Sequence, residues 1–468
     1  MSLGGAVSLS AMIVQAYMVS WVVPAGVAMY YQEYEQAWLF VGLLFFFGSF
    51  LGMVRWVFGA MAGDTGNGSL VVVLTWLGVS LVSSIPFLMY GSTHYSTAWV
   101  ESVSALTTTG IEFVGSIQEW PKALLWYRQQ LEWIGGAGII ILMLSLLALH
   151  EGALLSVYYG EYGSDVRDVR VTPRLKSTAR SVCFIYGVFW SACSLCYMLG
   201  GVPLYYAMLE AMATVSTGGF SVIGMVGEVT ATQQWVAIVF MLLGAVGFHV
   251  HYQVLYRWVK QAYFRCSEVR GLLLLVGIGY MFCALLSANE SIARTVFDVV
   301  AFATTTGFET ELHLSSPFLA LFFMVLGLVG GAAGSTAGGI KIVRFYVLMQ
   351  EAKFFLLRCI QPNIVKTVFV DGRALSGTYV SSIRGYIFLF LCTMLLGLFF
   401  LVSTGMPIDL AFGWLCATVT NVGASTQALS PGDLTGIQKL GVSCIMLLGR
   451  VEMAVFLVLF MPQFWQIK

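Results

Sequence analysis

Charge is what this sequence has least of. Asp, Glu, Lys and Arg together make up 10% of its 468 residues, where about a quarter is usual in a soluble domain. So few charges exclude the soluble globular classes. Paired cysteines are lacking too. The nine are an odd number, and Cys183, Cys193, Cys196, Cys283, Cys392, Cys416 and Cys444 lie in apolar stretches, which argues against a disulfide framework. Cys193 and Cys196 form a C-x-x-C with no second ligand pair nearby and read as packing residues. No basic leader with a small-residue cleavage site precedes the first apolar stretch, Ser8 to Tyr30, so a retained helix is expected there and not a signal peptide. Neither a buried nucleophile with a base nor a metal-ligand set stands out, which excludes the usual enzyme readings.

What is present is apolar residue, 59% of the chain, and 50 glycines. Apolar runs of spanning length, about 20 residues, fall at 8–30, 37–61, 69–90, 123–149, 179–200, 235–256, 271–288, 317–350, 384–404 and 437–460. Ten helices are predicted. Shorter half-apolar stretches at 95–110, 204–220, 292–308 and 408–424 are too short to span and too apolar for solvent loops, so they read as re-entrant segments.

Placing the N-terminus inside puts most Lys and Arg in cytoplasmic segments. These include Arg55, Arg167, Arg170, Arg174, Arg257, Lys260, Arg265, Arg270, Lys341, Arg344, Lys353, Lys366 and Lys468, as the positive-inside rule demands. Lys122, Arg128, Arg294 and Lys439 fall outside. The basic loops read as topology signal and lipid contact, with no nucleic acid expected.

After the first two helices the chain runs helix, re-entrant segment, helix four times, and the segments end alike: Thr107-Thr108-Thr109-Gly110, Val215-Ser216-Thr217-Gly218-Gly219-Phe220, Thr304-Thr305-Thr306-Gly307-Phe308 and Thr420-Asn421-Val422-Gly423. Aligning Gly110, Gly218, Gly307 and Gly423 gives intervals of 108, 89 and 116 residues, the scale of a pseudo-symmetric repeat. Hydroxyl residues followed by glycine suit a selectivity filter. A partly desolvated cation is held by backbone carbonyls, and glycine supplies the φ values that turn them inward. The alternative, close helix packing by small residues, accounts for one such cluster better than for four. Glu101, Glu210, Asp298 and Asp409 are placed near the starts of the short helices, either supporting the helix dipole or attracting cations.

Gly330-Gly331-Ala332-Ala333-Gly334-Ser335-Thr336-Ala337-Gly338-Gly339-Ile340-Lys341 interrupts the second helix of the third repeat. It lacks the G-K-[ST] ending of a phosphate loop and reads as an intramembrane gating loop beneath the filter, against the plainer reading of a kinked packing helix. Gly449-Arg450-Val451-Glu452 sits deep in the last span, where ionisable groups face the protein interior or a water cavity. Arg450 either projects into the path as a fixed charge or pairs with an acid between repeats. Glu452, two residues on, points elsewhere and has a separate partner. His249 and His251, also two apart, read as interfacial residues.

These residues resemble the Trk/Ktr/HKT superfamily of K⁺ transporters, most closely its bacterial Trk membrane-subunit branch. The resemblance rests on the four loops, on Leu131-Glu132-Trp133-Ile134-Gly135-Gly136-Ala137-Gly138-Ile139, on Thr172-Pro173-Arg174, on the glycine-rich loop, on Gln361-Pro362-Asn363 and on Gly449-Arg450-Val451-Glu452. It implies K⁺ as the permeant ion with no organic cofactor. It also implies a homodimer seated on a cytosolic TrkA-like nucleotide-binding ring, in a bacterial inner membrane with both termini cytoplasmic. The implied filter is Thr108, Thr109, Gly110, Ser216, Thr217, Gly218, Thr305, Thr306, Gly307, Asn421, Val422 and Gly423. Gly110 stands where, in the related plant proteins, serine goes with Na⁺ permeation. The fourth loop departs from the family, with Ala424-Ser425 after Gly423 in place of Pro-Gly.

The expected fold is an all-α polytopic membrane protein with two N-terminal helices (1–66) and four pseudo-symmetric helix–pore loop–helix repeats around one central pore (67–160, 161–265, 266–375 and 376–468). The other reading, a Na⁺- or H⁺-coupled secondary transporter, calls for two related halves and not four similar loops.

Overall fold

Away from water a backbone must satisfy its own hydrogen bonds, so apolar runs of spanning length become helices. The structure, a computed structural model, describes residues 3–59, 68–90, 94–115, 117–149, 175–286, 291–308, 316–364, 367–424 and 431–466. The Thr172-Pro173-Arg174 motif, Arg167, Arg170, Lys366, Ser425 and Lys468 lie outside the described residues. In chain order the helices are α1 (Leu3–Met18), α2 (Val22–Tyr30), α3 (Tyr34–Gly59), α4 (Gly68–Tyr90), α5 (Tyr95–Leu106), α6 (Lys122–Leu149), α7 (Leu175–Leu199), α8 (Leu204–Ser216), α9 (Ala231–Ala245) and α10 (Phe248–Arg257). They continue with α11 (Ala262–Arg265), α12 (Ser267–Leu286), α13 (Ile292–Ala303), α14 (Pro317–Val329), α15 (Ile342–Ile360), α16 (Gly377–Ser403), α17 (Ile408–Val419), α18 (Gly436–Val451), α19 (Met453–Leu457) and α20 (Pro462–Gln466). A two-stranded ribbon, Phe369–Val370 against Arg373–Ala374, links α15 to α16.

Among the described residues six helical stretches are unbroken, long and apolar enough to cross a membrane: Leu3–Tyr30, Tyr34–Gly59, Gly68–Tyr90, Ala179–Leu199, Ser267–Leu286 and Gly377–Ser403. Their outer faces are bare hydrocarbon. Phe45, Phe46 and Phe50 on α3 and Leu395, Leu396 and Phe399 on α16 are all more than half exposed, which is stable only against lipid. The chain is therefore a multi-pass membrane protein.

Two of the ten expected spans are sharply bent, and a third is interrupted where the glycine-rich loop was expected. The 235–256 run bends by 95° between α9 and α10, and the 437–460 run by 110° between α18 and α19. The 317–350 run is split by residues 330–341, as its glycines suggest. At the second bend Glu452 has φ 71°, outside the helical region.

The four short helices coincide with the expected re-entrant segments: α5, α8, α13 and α17, of 12, 13, 12 and 12 residues. The helices that follow in the second, third and fourth repeats have capped starts. Thr230 and Thr435 form capping boxes with Gln233 and Gln438, while Ser316 caps α14 with Pro317 at its first position. Both glutamines also reach the end of the preceding long helix, Gln233 Nε2 donating to the Gly200 carbonyl at 3.3 Å and Gln438 Nε2 to that of Thr404 at 3.4 Å. The start of α6 is capped from outside its own repeat. Glu33, in the α2–α3 turn, accepts from the Lys122 and Ala123 amides at 2.7 and 2.9 Å, fastening the N-terminal hairpin to the first repeat.

Candidate functional site

The C-terminal ends of α5, α8, α13 and α17 share one geometry. Each helix stops at a residue in the left-handed region, Thr108 (φ 51°), Thr217 (51°), Thr305 (56°) or Asn421 (55°). The next amide then reaches back five residues: Thr109 to Ser104, Gly218 to Ala213, Thr306 to Ala301 and Val422 to Ala417, at 2.7 to 3.1 Å. This is a Schellman closure with threonine or asparagine where glycine is usual. A left-handed residue other than glycine costs roughly 1–2 kcal/mol, and a β-branched one is an outlier. Three threonines held this way are set by their surroundings.

A second positive φ follows two residues later, at Gly110 (77°), Gly219 (95°), Gly307 (74°) and Gly423 (77°). This corrects the sequence alignment by one residue in the second loop. Gly219, not Gly218, is the counterpart of Gly110, and Gly218 stands level with Thr109, Thr306 and Val422; the intervals become 109, 88 and 116. The four loops then close a ring. A Cβ on Gly110 would lie 2.4 Å from the Gly218 carbonyl oxygen, one on Gly219 2.4 Å from that of Thr306, one on Gly307 1.7 Å from that of Val422, and one on Gly423 1.6 Å from that of Thr109. Each glycine faces the level carbonyl of the next loop. No side chain fits at any of the four, since real Cβ contacts do not fall below 3.0 Å.

The acids sit elsewhere than expected. Glu101, Glu210 and Asp298 lie mid-helix and are buried, nine residues before Gly110, Gly219 and Gly307. Glu101 accepts from the Phe113 and Val114 amides at 2.7 and 3.2 Å, and Glu210 from those of Val222 and Ile223 at the same two distances. They brace the chain leaving the ring, neither supporting a helix start nor facing an open vestibule. The segment that Asp298 would reach by the same spacing, 310–311, lies outside the described residues. In the fourth repeat the matching position is Trp414, buried, and Asp409 is in the first turn of its helix, as expected.

Arg128 crosses between braces. Its Nε donates to Glu101 at 2.8 Å and its guanidinium lies 3.4 Å from the centroid of the Phe220 ring in the second loop. Gln129 Nε2 donates to the Phe220 carbonyl at 2.8 Å, and Glu132 accepts from the Phe220 amide at 3.1 Å. Glu132, within the motif at 131–139, thus clamps loop two together with Arg128 and Gln129 just before it. Removing one partner of a buried ion pair costs about 3–5 kcal/mol. Glu101→Ala is accordingly expected to lower the thermal midpoint of the detergent-solubilised protein by many degrees, whereas Glu112→Ala, whose side chain is 42% exposed, shifts it little. Equal midpoints in fluorescence-detected gel filtration would refute the brace.

Residues 330–341 lie against the inner face of the ring. Gly338 N donates to Thr305 Oγ1 at 2.6 Å, Gly339 N to the Thr420 carbonyl at 3.2 Å and Thr336 N to that of Gly244 at 3.2 Å, while the Thr217 and Thr336 hydroxyls are 3.1 Å apart. Ala332, Ala333, Ser335 and Thr336 are buried. Arg450 Nη1 donates to the Thr336 carbonyl at 2.7 Å and Nη2 to that of Gly135 at 3.4 Å. Its described hydrogen bonds thus go to carbonyls, which disfavours the acid-paired reading. Glu452 does have its own partner, Arg344, at 2.8 and 2.9 Å. Arg344 is fully buried over the Tyr386 ring, so its charge links α15 to the end of α18 and does not face solvent. His251, too, is a buried clamp and not interfacial, bonded to the Tyr263 hydroxyl at 2.7 Å and the Leu243 carbonyl at 2.9 Å.

Sequence reasoning missed Gly219, Arg128, Glu132 and Arg344. The recurrent nine-residue interval from acid to glycine is the signal that would have placed Gly219.

A family model described as "TrkH: Cation transport protein" matches residues 45–467. The chain is 31% identical over 417 residues to the Trk system potassium uptake protein TrkH of Vibrio parahaemolyticus serotype O3:K6, 86% of each chain. It is 30% identical over 475 residues to the Trk system potassium uptake protein TrkG of Escherichia coli (strain K12), 97% of each. The crystal structure of the potassium transporter TrkH from Vibrio parahaemolyticus superposes with a TM-score of 0.89 at 28% identity, covering 99% of this chain and 100% of that one.

Proposed function

The chain belongs to the TrkH family of cation transport proteins, and from that membership we propose that it takes up K⁺ through a selective pore at the centre of its four loops. It is a transport protein and not an enzyme. The observation that carries the proposal is the closed ring, in which the carbonyls of Thr109, Gly218, Thr306 and Val422 each abut a glycine of the neighbouring loop. Carbonyls so arranged replace a cation's water shell. The helices that end at the ring point the negative ends of their dipoles at it, which adds to the attraction. Relatives named as potassium uptake proteins support K⁺ as the ion.

Residues 330–341 are the gate in this reading, since they lie across the inner side of the ring and hold to three repeats. Arg450 supplies a fixed positive charge beside them that limits cation flow until the loop moves. The four repeats keep the boundaries given above, with Gly219 joining the filter. Both termini are cytoplasmic in a bacterial inner membrane, supported by the basic residues at Arg257, Lys260, Arg265 and Arg270. A homodimer on a cytosolic nucleotide-binding ring of the TrkA kind completes the system, in keeping with relatives named as parts of a Trk system.

The test is ⁸⁶Rb⁺ uptake into proteoliposomes, with K⁺ and Na⁺ as competitors. Uptake blocked by K⁺ but not by Na⁺ is the expected result. Equal block by both ions refutes the selective filter.

A further inference from the structure

Three ligating side chains that lie apart in the sequence converge behind the loop. His249 comes from the first turn of α10, Cys266 from the junction of α11 and α12, and Glu268 from the first turn of α12; their nearest donor atoms all lie within 4.8 Å of one another. Cys266 and Glu268 are buried and His249 is half-buried. We propose that these three residues form a binding site for a divalent transition metal of the Zn²⁺ class, and that the bound metal fastens the glycine-rich loop against the ring.

The donor set fits such an ion in type, number and charge. Sulfur and imidazole select zinc-like metals over Mg²⁺ and Ca²⁺. Ligand atoms about 2.0–2.3 Å from the ion stand roughly 3.5 Å apart across a tetrahedral angle, within reach of rotamer adjustment from the spacing seen. Three protein ligands leave the fourth position to water. A thiolate and a carboxylate neutralise a divalent charge, which a largely buried site requires. On binding, the thiol proton passes to solvent as the sulfur–metal bond forms.

The coupling to the loop runs through Glu268, whose Oε1 accepts from the Ala333 amide at 2.8 Å. Around the same point Ala332 N donates to the Ala245 carbonyl at 2.9 Å and Phe248 N to that of Gly334 at 3.0 Å. A Cβ on Gly247 would lie 2.6 Å from the Ala333 carbonyl oxygen. The loop is therefore laced to the α9–α10 bend that carries His249 and to the α12 start that carries Cys266 and Glu268. An ion joining those two elements closes the lacing.

The metal part is tested with Co²⁺ on the full-length, metal-stripped protein in detergent under a thiol-free reductant. The expected result is one tight Co²⁺ with a thiolate-to-metal charge-transfer band that Zn²⁺ displaces. Loss of a supporting group alone lowers metal affinity about 10–100-fold, so Cys266→Ser and His249→Gln are each expected to lose at least that much. Cys359→Ser, an exposed cysteine, keeps the band. No band in the parent, or a band that survives Cys266→Ser, overturns the site.

The gating part rests on the reading of residues 330–341 as a gate and is measured as ⁸⁶Rb⁺ uptake, each variant against its own metal-free rate. Micromolar Zn²⁺ is expected to lower uptake about tenfold in the parent, the equivalent of a 1.4 kcal/mol preference for the closed loop. It leaves Cys266→Ser unaffected. A Co²⁺ band with Zn²⁺-insensitive uptake overturns the coupling, and absent uptake in every protein overturns the transport reading, while the band decides the site in both cases.

Discussion

Gly110→Ser is expected to lower K⁺/Na⁺ discrimination by about tenfold or more, the equivalent of 1.4 kcal/mol of differential binding. Gly110 has φ 77°, and a Cβ there would lie 2.4 Å from the Gly218 carbonyl oxygen and 2.8 Å from the Gly219 Cα. Both contacts are backbone, so no side-chain rotation relieves them. The loop must shift and carry the Gly218 carbonyl out of the ring. Cation selectivity depends on the number and placement of such carbonyls, and moving one of four favours the ion that tolerates a looser cage. The measurement is the Na⁺ concentration that halves ⁸⁶Rb⁺ uptake, on protein that retains its gel-filtration profile. An unchanged Na⁺ competition constant in the variant would sink the filter assignment.

Deleting residues 334–338 is expected to raise basal uptake by an order of magnitude at equal expression. These residues hold Thr305 from the third repeat, Arg450 from the fourth and Thr217 from the second. They lie across the inner face of the ring, so their removal opens the path and frees Arg450 from the Thr336 carbonyl. If closure is favoured by about 1.4 kcal/mol, its loss raises the open fraction up to tenfold. Uptake equal to or below the parent's would mean that the loop supports the filter and does not gate it.

Much of this architecture is legible in the sequence because the bilayer imposes few rules and imposes them strictly. A run such as Tyr34–Gly59 has no stable state in lipid other than a helix. A half-length apolar stretch such as Ile408–Val419 can only turn back. The glycines at 330–339 mark the broken span through conformational cost alone. The bend at Glu452 was not legible, because a single left-handed residue between two good helical runs leaves no compositional trace.

The site was legible in kind and imprecise in register. Two adjacent glycines, Gly218 and Gly219, are equivalent as letters, and only the ladder of hydrogen bonds and the nine-residue step from Glu210 distinguish them. The roles of the charged residues were the least legible. Arg344 and Arg128 each looked like an ordinary loop or rim charge, yet Arg344 meets Glu452 from 108 positions away and Arg128 stacks on Phe220 in the next repeat.

The sequence by itself determined what depends on composition and local spacing: membrane residence, the helices and half-helices, the fourfold repeat and the glycines that admit an irregular backbone. Tertiary structure alone decided what depends on separation in space. It set which carbonyl each glycine faces, which acid braces which chain, where Arg450 points, and that His249, Cys266 and Glu268 meet behind the loop. The physical reason is range. Helix formation and desolvation act on neighbours along the chain, whereas an ion pair or a ring of carbonyls exists only after distant segments have packed.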